Sequence, residues 1–305
     1  MPSLGDAKSM LLLALGLSAV VYVGFLATEL LRRRRAQAAS GGAVDSDAPS
    51  KGGIATGFVT NFFDTLGIGS YATTTSIFRF WNMVPDERIP GTLNIGHTLP
   101  TIVQAFIFTQ IVPVDARTLI LMIAAAVAGG WIGAGVVASW PRRSVQVWMG
   151  AALFGFAAIQ LAKNLHLTPA GGAALALSGT PLGIAIAVNF MLGALMTLGI
   201  GLYAPCMILV SLLGMNPTAA FPIMMGSCAF LMPVASVRFL KSGRFDPRAL
   251  LGLLIGGLPA VLIAAFIVKA LPLVAVQWLV VIVVVYTATS LLRTAARERA
   301  AAVRA

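Results

Sequence analysis

Long runs of uncharged, mostly apolar residues constrain the fold of this chain more than any other feature of its sequence. Four segments of about 18–20 residues contain no Asp, Glu, Lys or Arg, and these are residues 9–28, 145–162, 249–268 and 273–292. A helix that crosses the roughly 30 Å hydrocarbon core of a bilayer needs about 20 apolar residues. One such helix can hide in a soluble core, but four of them in 305 residues indicate a polytopic membrane protein.

The composition agrees with this interpretation, because 58% of the residues are hydrophobic and 10% are charged. The net charge of +11 does not indicate nucleic-acid binding, since the basic residues stand in short loops beside apolar segments. Cys206 and Cys228 lack the spacing of a zinc or redox motif, and we interpret them as small buried residues. We expect no cofactor and no metal.

The first apolar segment is too long for a secretory signal, and its basic run, Arg32 to Arg35, follows it instead of preceding it. We therefore predict that residues 1–35 contain an uncleaved transmembrane helix whose C-terminal end is cytoplasmic. Residues 36–52 are rich in Ala, Gly and Ser, and they are predicted to form a flexible cytoplasmic linker.

The rest of the chain is an internal duplication. Residues 64–72 read DTLGIGSYA, and residues 196–204 read MTLGIGLYA. Isolated Pro and Asp residues then recur in the same order, so that Asp115 aligns with Asp246 and Pro141 with Pro272. The resulting division of the chain is repeat 1 at 53–163, an inter-repeat loop at 164–182, repeat 2 at 183–294 and a cytoplasmic tail at 295–305.

Each repeat opens with an apolar segment that Gly-Ile-Gly interrupts near its centre. Residues 53–82 would form one helix of about 45 Å, which is too long for a bilayer core, and they are too few for two spans. We predict a re-entrant hairpin of two half-helices of about 13 residues, and residues 183–214 divide in the same way. The full spans predicted after each hairpin are 90–111, 117–140 and 144–163 in repeat 1, and 218–238, 248–270 and 273–293 in repeat 2.

The basic residues favour hairpins over the alternative in which each broken segment crosses completely. With hairpins, all but four of the 21 Lys and Arg residues are cytoplasmic, whereas complete crossings leave six outside. Three spans per repeat also invert repeat 2 relative to repeat 1, as in many secondary transporters, whereas crossings would make the repeats parallel. The predicted fold is all-α, with two inverted repeats, one extra N-terminal helix, an external N-terminus and a cytoplasmic C-terminus.

The two glycine breaks are the predicted substrate site. Backbone without helical hydrogen bonds is not tolerated against lipid, and it persists where it is buried or lines a polar cavity. A helix that restarts after a break offers N–H groups to an anion, although the glycines have the alternative role of allowing close helix packing. The candidate substrate-binding residues are Asn61, Thr65, Gly67, Gly69, Ser70, Tyr71, Thr73, Asn94, His97, Thr197, Gly199, Gly201, Tyr203, Cys206 and Ser227.

Several of these side chains have a second interpretation. A hydroxyl in a helix often bonds to a carbonyl of its own helix instead of to a ligand. Asp64 is predicted to couple transport to protons, since burial and a bound anion both disfavour a charged carboxylate, but it could instead cap the break. His97 is expected either to carry protons or to form a hydrogen bond between helices.

At these breaks the chain resembles the sulfite exporter TauE/SafE family, also called the toluene sulfonate uptake permease family. That family carries two copies of a pattern like G-x-G-G-G-x-x-x-x-P-x-L, and the closer copy here is GIGLYAPCMIL at 199–209. The first copy keeps Gly67-Ile68-Gly69 without the proline or the third glycine. Residues 91–94 and 226–227 are similar to the family's Gly-Thr-Ser element in the next span.

The resemblance covers about residues 53–293. It implies a secondary carrier of sulfite, sulfonates or related small anions in the bacterial inner membrane, with protons or ions as coupling partners. Export and uptake remain open, and so does the oligomeric state. The alternatives are a carrier or channel for another small anion, such as a carboxylate, and an intramembrane enzyme, which would need clustered titratable groups.

Overall fold

The computed structural model describes residues 4–39, 48–133, 142–165, 167, 172–196 and 201–304. This part of the chain is helical apart from turns and one isolated bridge between Ala174 and Met215. A π-helical turn, Gly129–Gly133, follows α5, and a 3-10 turn, Pro217–Ala219, precedes α9. The α-helices are α1 (Leu4–Ala39), α2 (Lys51–Thr65), α3 (Ser70–Phe80), α4 (Ile89–Ile111), α5 (Ala116–Ala128), α6 (Arg142–Asn164), α7 (Gly179–Met196), α8 (Tyr203–Leu212), α9 (Ala220–Ser242), α10 (Pro247–Ala270) and α11 (Leu273–Arg304).

The protein is a multi-pass membrane protein by the length and apolar character of its helices, as the sequence predicted. A bilayer requires about 20 apolar residues per crossing. Five segments of the described residues are long and apolar enough to cross, namely Ala7–Ala36, Gly179–Met196, Pro217–Ser242, Pro247–Ala270 and Trp278–Glu298. Helix α4 has 23 residues but a largely buried surface that carries many polar side chains, because α1, α9 and α10 pack around it.

Some helices differ in extent from the predictions. Helix α1 has 36 residues and continues through Ala39 into the predicted linker, of which residues 40–47 lie outside the described residues. The span predicted at 117–140 is α-helical only to Ala128 and continues as the π-helical turn, and residues 134–141 lie outside the described residues. Helix α11 runs to Arg304 through the predicted tail, since Ala, Arg and Glu are strong helix formers and no Pro or Gly interrupts them.

The two aspartates that the duplication aligned begin equivalent helices. The side chain of Asp115 accepts a hydrogen bond of 2.9 Å from Thr118 N–H at the start of α5. The side chain of Asp246 accepts one of 2.8 Å from Ala249 N–H at the start of α10. Such an N-cap contributes about 1 kcal/mol. The two aligned aspartates are therefore N-caps of equivalent helices in the two halves of the chain.

Helices α2 and α3 form a hairpin, called hairpin 1, whose two ends lie at the same end of the bundle. Met83 follows α3, and its Cε lies 3.3 Å from the position that a β-carbon on Gly52 would occupy. The Thr56 hydroxyl lies 4.0 Å from the Met83 sulfur. The chain that leaves α3 thus returns beside the first turns of α2.

Helices α7 and α8 form a second hairpin, hairpin 2, with the same property. Residues 214–216 follow α8, and they pair with residues 172–174, which precede α7. Asn216 N–H donates to Ala174 O at 2.8 Å, and Ala174 N–H donates to Gly214 O at 3.3 Å. The chain therefore leaves α8 close to where it entered α7.

The first helix of each hairpin packs against a helix from the other half of the chain. Helix α2 runs parallel to α10, with Gly53 against Gly252 and Gly57 against Leu253. In the equivalent pair, α7 runs parallel to α5, with the Asn189 amide donating to Met122 O at 2.7 Å and Gly193 against Ala126. If α2–α6 are the first half and α7–α11 the second, the hairpin of each half packs against the fourth helix of the other half.

Helices at equivalent positions in the two halves pack against each other in antiparallel orientation. Helix α4 is antiparallel to α9, since the Ser236 hydroxyl donates to Asn94 Oδ1 at 2.8 Å and Phe108 stacks on Phe221 with 5.2 Å between ring centroids. Helix α6 is antiparallel to α11, since Gly150 packs against Leu292 and Gln146 Nε2 lies 3.5 Å from Glu298 Oε1. Because α4 and α9 begin where hairpins 1 and 2 end, the two hairpins start from opposite ends of the bundle.

We call the end at which α2, α4 and α10 begin the basic end, because Lys51, Arg88 and Arg248 stand there. Helix α1 reaches the same end, where the Arg33 guanidinium donates to Leu240 O at 3.0 Å and lies 4.2 Å above the Phe245 ring. That carbonyl belongs to the last turn of α9 and also accepts from Gly243 N–H at 3.3 Å, so Arg33 adds a second hydrogen bond to it and ties α1 to the end of α9.

Candidate functional site

The break in hairpin 1 spans residues 66–69 and leaves the helical conformation because of its glycines. Gly67 has φ of 99° and Gly69 has φ of 82°, values that cost a residue with a side chain about 1–2 kcal/mol. Asp64 closes the break, since its Oδ1 accepts a hydrogen bond of 2.6 Å from Ser70 N–H at the start of α3. One oxygen of Asp64 therefore acts as the cap that the sequence offered as an alternative.

Helix α7 ends its described part at Met196, and the described part of the break in hairpin 2 is residues 201–202, which precede Tyr203, the first residue of α8. Two predicted site residues, Thr197 and Gly199, lie outside the described residues. Gly201 is exposed, and a β-carbon built on it would meet nothing within 4 Å. Tyr203 follows directly and is buried.

A single amide joins the two hairpins. Gln104 of α4 donates from Nε2 to Asp64 Oδ2 at 3.0 Å and to the Thr65 hydroxyl at 2.9 Å. Its Oε1 accepts a hydrogen bond of 3.2 Å from the Tyr203 hydroxyl. All three side chains around Gln104 are buried, and the amide uses both of its N–H donors and its oxygen to connect the end of α2 to the start of α8.

Apolar contacts bring the same two regions together. A β-carbon on Gly67 would lie 3.0 Å from the sulfur of Met207 in α8 and 3.7 Å from Cε of Met224 in α9. Leu66 and Ile68 pack against the buried apolar cluster that contains Met207. The break of hairpin 1 is therefore seated on the returning helix of hairpin 2.

His97 links hairpin 1 to α4 through both ring nitrogens. Its Nδ1 lies 3.1 Å from Asn61 Oδ1, and its Nε2 lies 3.0 Å from the Thr74 hydroxyl. Asn61 Nδ2 donates to Gly57 O at 2.8 Å, so Asn61 Oδ1 must accept from His97 Nδ1–H. In the neutral ring Nε2 then accepts from Thr74, and the histidine fastens α2 and α3 to α4.

A second polar group lies nearer to the basic end. Asn94 donates from Nδ2 to the Tyr71 hydroxyl at 3.0 Å, and its Oδ1 accepts from the Ser236 hydroxyl. Thr98 donates to Asn94 O at 2.6 Å and lies 3.1 Å from Ser236 Oγ. Through these contacts α3, α4 and α9 share one buried network.

Other predicted site residues bond locally. The Thr65 hydroxyl donates to Asn61 O at 2.8 Å, and the Thr73 hydroxyl donates to Ser70 O at 2.9 Å. These bonds are the own-helix alternative that the sequence left open. Cys206 is buried in α8, and the Ser227 hydroxyl donates to Ile223 O while accepting from Asn189 Nδ2 at 3.3 Å.

Sequence reasoning did not single out Gln104, which is the residue that joins the hairpins. The available signal was the polar stripe of α4, in which Asn94, His97, Thr101 and Gln104 recur at helical spacing of three to four residues. In a helix that is apolar elsewhere, such a stripe marks the face that meets other polar groups and not lipid.

The site combines neutral donors with one carboxyl group. Among the described residues, Asp64 has amide and backbone partners and no Lys or Arg partner. Within the same residues, no group of three or more His, Cys, Asp and Glu side chains is arranged to hold a metal ion. Comparison of the chain with protein-family models, with curated proteins and with solved structures gave no match.

Proposed function

We propose that this protein is a secondary transporter of small anions, of the sulfite or sulfonate type, that binds its substrate where the two hairpins meet. The observation that carries the proposal is the link from Asp64 through Gln104 to Tyr203, which connects the breaks of two hairpins that start from opposite ends of the bundle. Broken helices that meet inside the protein are a common substrate site in secondary transporters.

The chemistry of the breaks supports an anionic substrate. Backbone N–H groups in the first turns of α3 and α8 have no acceptor within their own helix, and the Tyr71 hydroxyl, which accepts from Asn94, keeps its own hydrogen for a ligand. Neutral donors lose less hydration energy on burial than full charges do. Because Asp64 would repel an anion while charged, the substrate binds with Asp64 protonated, and a proton accompanies the anion in each cycle.

We further propose that the repeats are inverted in the membrane and that the hairpins are re-entrant. Support comes from the antiparallel pairing of α4 with α9 and of α6 with α11, and from the return of each hairpin to its starting end. The basic end is then cytoplasmic, because Lys and Arg concentrate on that side of a membrane. The N-terminus is outside, and the membrane is a bacterial inner membrane if the resemblance to the TauE/SafE family holds.

A thermal-shift panel on the purified protein tests the substrate class. Sulfite, thiosulfate, methanesulfonate and acetate are added separately at equal ionic strength, and the melting temperature is recorded. A bound ligand at about 100 times its Kd stabilises a protein by about 2.7 kcal/mol. We expect a sulfur oxyanion to raise the melting temperature of the wild type and of Ser242→Ala, an exposed control, but not of Ser70→Ala at the break.

Flux into proteoliposomes separates the alternatives. Accumulation of the stabilising anion against its gradient when a proton gradient is imposed supports the carrier. Stabilisation by acetate alone would indicate that the substrate is a carboxylate. An ohmic anion current without saturation would make the protein a channel, and the absence of both flux and stabilisation for all four anions would overturn the proposal.

A further inference from the structure

The returning helices of the two hairpins share a sequence motif but differ in exposure. Tyr71-Ala72 in α3 aligns with Tyr203-Ala204 in α8. Ala204 is 1% exposed and Ile208 is 2% exposed, because α6, α9 and α11 pack around α8. Ala72 and Ser76, the equivalents of these residues in α3, are both exposed.

The open face of α3 is polar. It carries Ala72, Ser76 and Arg79, all exposed, with the half-buried Thr73 beside them. Arg79 Nε donates to Asp86 Oδ1 at 2.9 Å in an ion pair whose side chains are 61% and 67% exposed. The Thr73 and Ser76 hydroxyls donate to carbonyls of their own helix, whereas the charge of Arg79 is costly against lipid and stable against water.

The neighbouring helix of the same hairpin has an open face of the opposite character. The exposed side chains of α2 include Phe58, Val59 and Phe63, which are 37–45% exposed. Phe80 and Trp81, at the end of α3, are also exposed, and aromatic residues of this kind concentrate at the level of the lipid headgroups. Lipid therefore fits the outside of α2, while the face of α3 above the aromatic pair fits water.

We propose that the open face of α3 lines a water-filled entrance that leads from the basic end of the bundle to the break of hairpin 1. The entrance ends at Gly69, which is half-buried and has nothing within 4 Å of the position of a β-carbon. Given the proposed function, the substrate anion reaches its site by this route. The path to the site along α8, from the opposite end, is closed in this state.

In the other state of the transport cycle, the exposures of α3 and α8 are reversed. In that state α3 is covered as α8 is here, and α8 is open towards the opposite end. Arg79 and Asp86 stand at the mouth of the entrance as an exposed ion pair, which keeps the mouth polar and hydrated.

Cysteine accessibility tests the entrance without any need for substrate. Ala72→Cys and Ala204→Cys form a matched pair, and the native Cys206 and Cys228 are buried, so the wild type is the unlabelled control. A membrane-impermeant methanethiosulfonate is applied to membrane vesicles of known orientation. We expect Ala72→Cys to react from the basic end on the order of 100-fold faster than Ala204→Cys, because the reaction needs a hydrated thiolate.

A second matched pair, Ser76→Cys and Ile208→Cys, repeats the comparison if an alanine variant fails to fold. The proposal is overturned if Ala72→Cys and Ser76→Cys react with the impermeant reagent no faster than Ala204→Cys and Ile208→Cys, since a thiol that faces lipid does not form the hydrated thiolate that the reaction needs. It is equally overturned if a short bifunctional reagent crosslinks Ala72→Cys to itself in full yield, because a second copy of the chain would then cover α3.

The labelling experiment and the transport assay can fail independently of each other. A reactive Ala72→Cys in a protein that moves no anion leaves the entrance in place and removes the transport role. Anion transport with Ala72→Cys unreactive removes the entrance alone. If both proposals hold, sulfite at saturating concentration slows labelling at Ala72→Cys several-fold and leaves labelling of an exposed cysteine at Ser242→Cys unchanged.

Discussion

Asp64 and Tyr203, from different halves of the chain, bind the two ends of the same amide group. Asp64 Oδ2 accepts from Gln104 Nε2 at 3.0 Å, and the Tyr203 hydroxyl donates to Gln104 Oε1 at 3.2 Å. Protonation of Asp64 weakens its oxygens as acceptors for Gln104 Nε2, so the charge on Asp64 affects the same amide that holds the Tyr203 hydroxyl. The two breaks are therefore coupled by hydrogen-bond polarity as well as by packing.

Replacing Gln104 by leucine should uncouple the breaks and destabilise the fold. Gln104→Leu leaves a buried carboxylate oxygen and a buried phenol without their partner, and each such loss costs about 1–3 kcal/mol. We expect the melting temperature in detergent to fall by about 5 °C or more. Gln110→Leu makes the same change at an exposed position of the same helix and should leave the melting temperature nearly unchanged. Equal shifts for the two variants would contradict the assignment.

The two glycines of the first break should differ in their tolerance of alanine. Both have positive φ, so each alanine costs about 1–2 kcal/mol. Gly67→Ala should cost more than Gly69→Ala, since its β-carbon meets the Met207 sulfur at 3.0 Å, whereas the space at Gly69 is open. Melting temperatures rank the variants, with Gly155→Ala as the control in a helix and in open space. A milder effect at Gly67 than at Gly69 would count against the packing of this break on α8.

Loss of the Thr74 hydroxyl should loosen hairpin 1. Thr74→Val removes the donor to His97 Nε2, and a buried acceptor left without a partner costs about 1–3 kcal/mol. Thr75→Val changes the neighbouring, half-buried residue in the same way and should be close to neutral. Hydrogen exchange followed by mass spectrometry should show faster exchange in α3 for Thr74→Val alone. If both variants exchange alike, His97 does not hold α3 in place.

Transport by the wild type should depend on pH through Asp64. A neutral Asp64 admits the anion, so flux should rise as pH falls and more of this carboxyl group is protonated. Asp64→Asn is permanently neutral, and its flux should vary much less with pH. Asp115→Asn is the control, because asparagine also caps a helix and the wild-type pH profile should persist. The coupling role is lost if Asp64→Asn keeps the full pH dependence in the same proteoliposome assay.

The helix breaks could be predicted because their cause is local. A segment of the length of residues 53–82 fits neither one span nor two, and Gly67 and Gly69 are able to take positive φ. The observed half-helices have 15 and 11 residues, close to the predicted lengths. Asp64, His97 and Tyr203 were chosen as candidate site residues in the same way, since polar groups in apolar segments are rare and costly.

Gln104 could not be identified as the link by the same reasoning. Its partners, Asp64 and Tyr203, are distant in the sequence and come together only when α2, α4 and α8 pack. The choice of partner for each helix was hidden for the same reason. It depends on which apolar faces meet, and many faces of this chain have nearly the same composition.

The motif Tyr-Ala follows each glycine break, and its surroundings differ between the two hairpins for reasons that lie outside the local sequence. Hydropathy, helix length and glycine content determine that α3 and α8 both start after a break, because these effects act within a few residues of the chain. Whether the alanine is buried, as Ala204 is, or exposed, as Ala72 is, depends on the helices that pack against it. Those helices come from distant parts of the sequence, so only the tertiary structure decides which hairpin is covered and which is open.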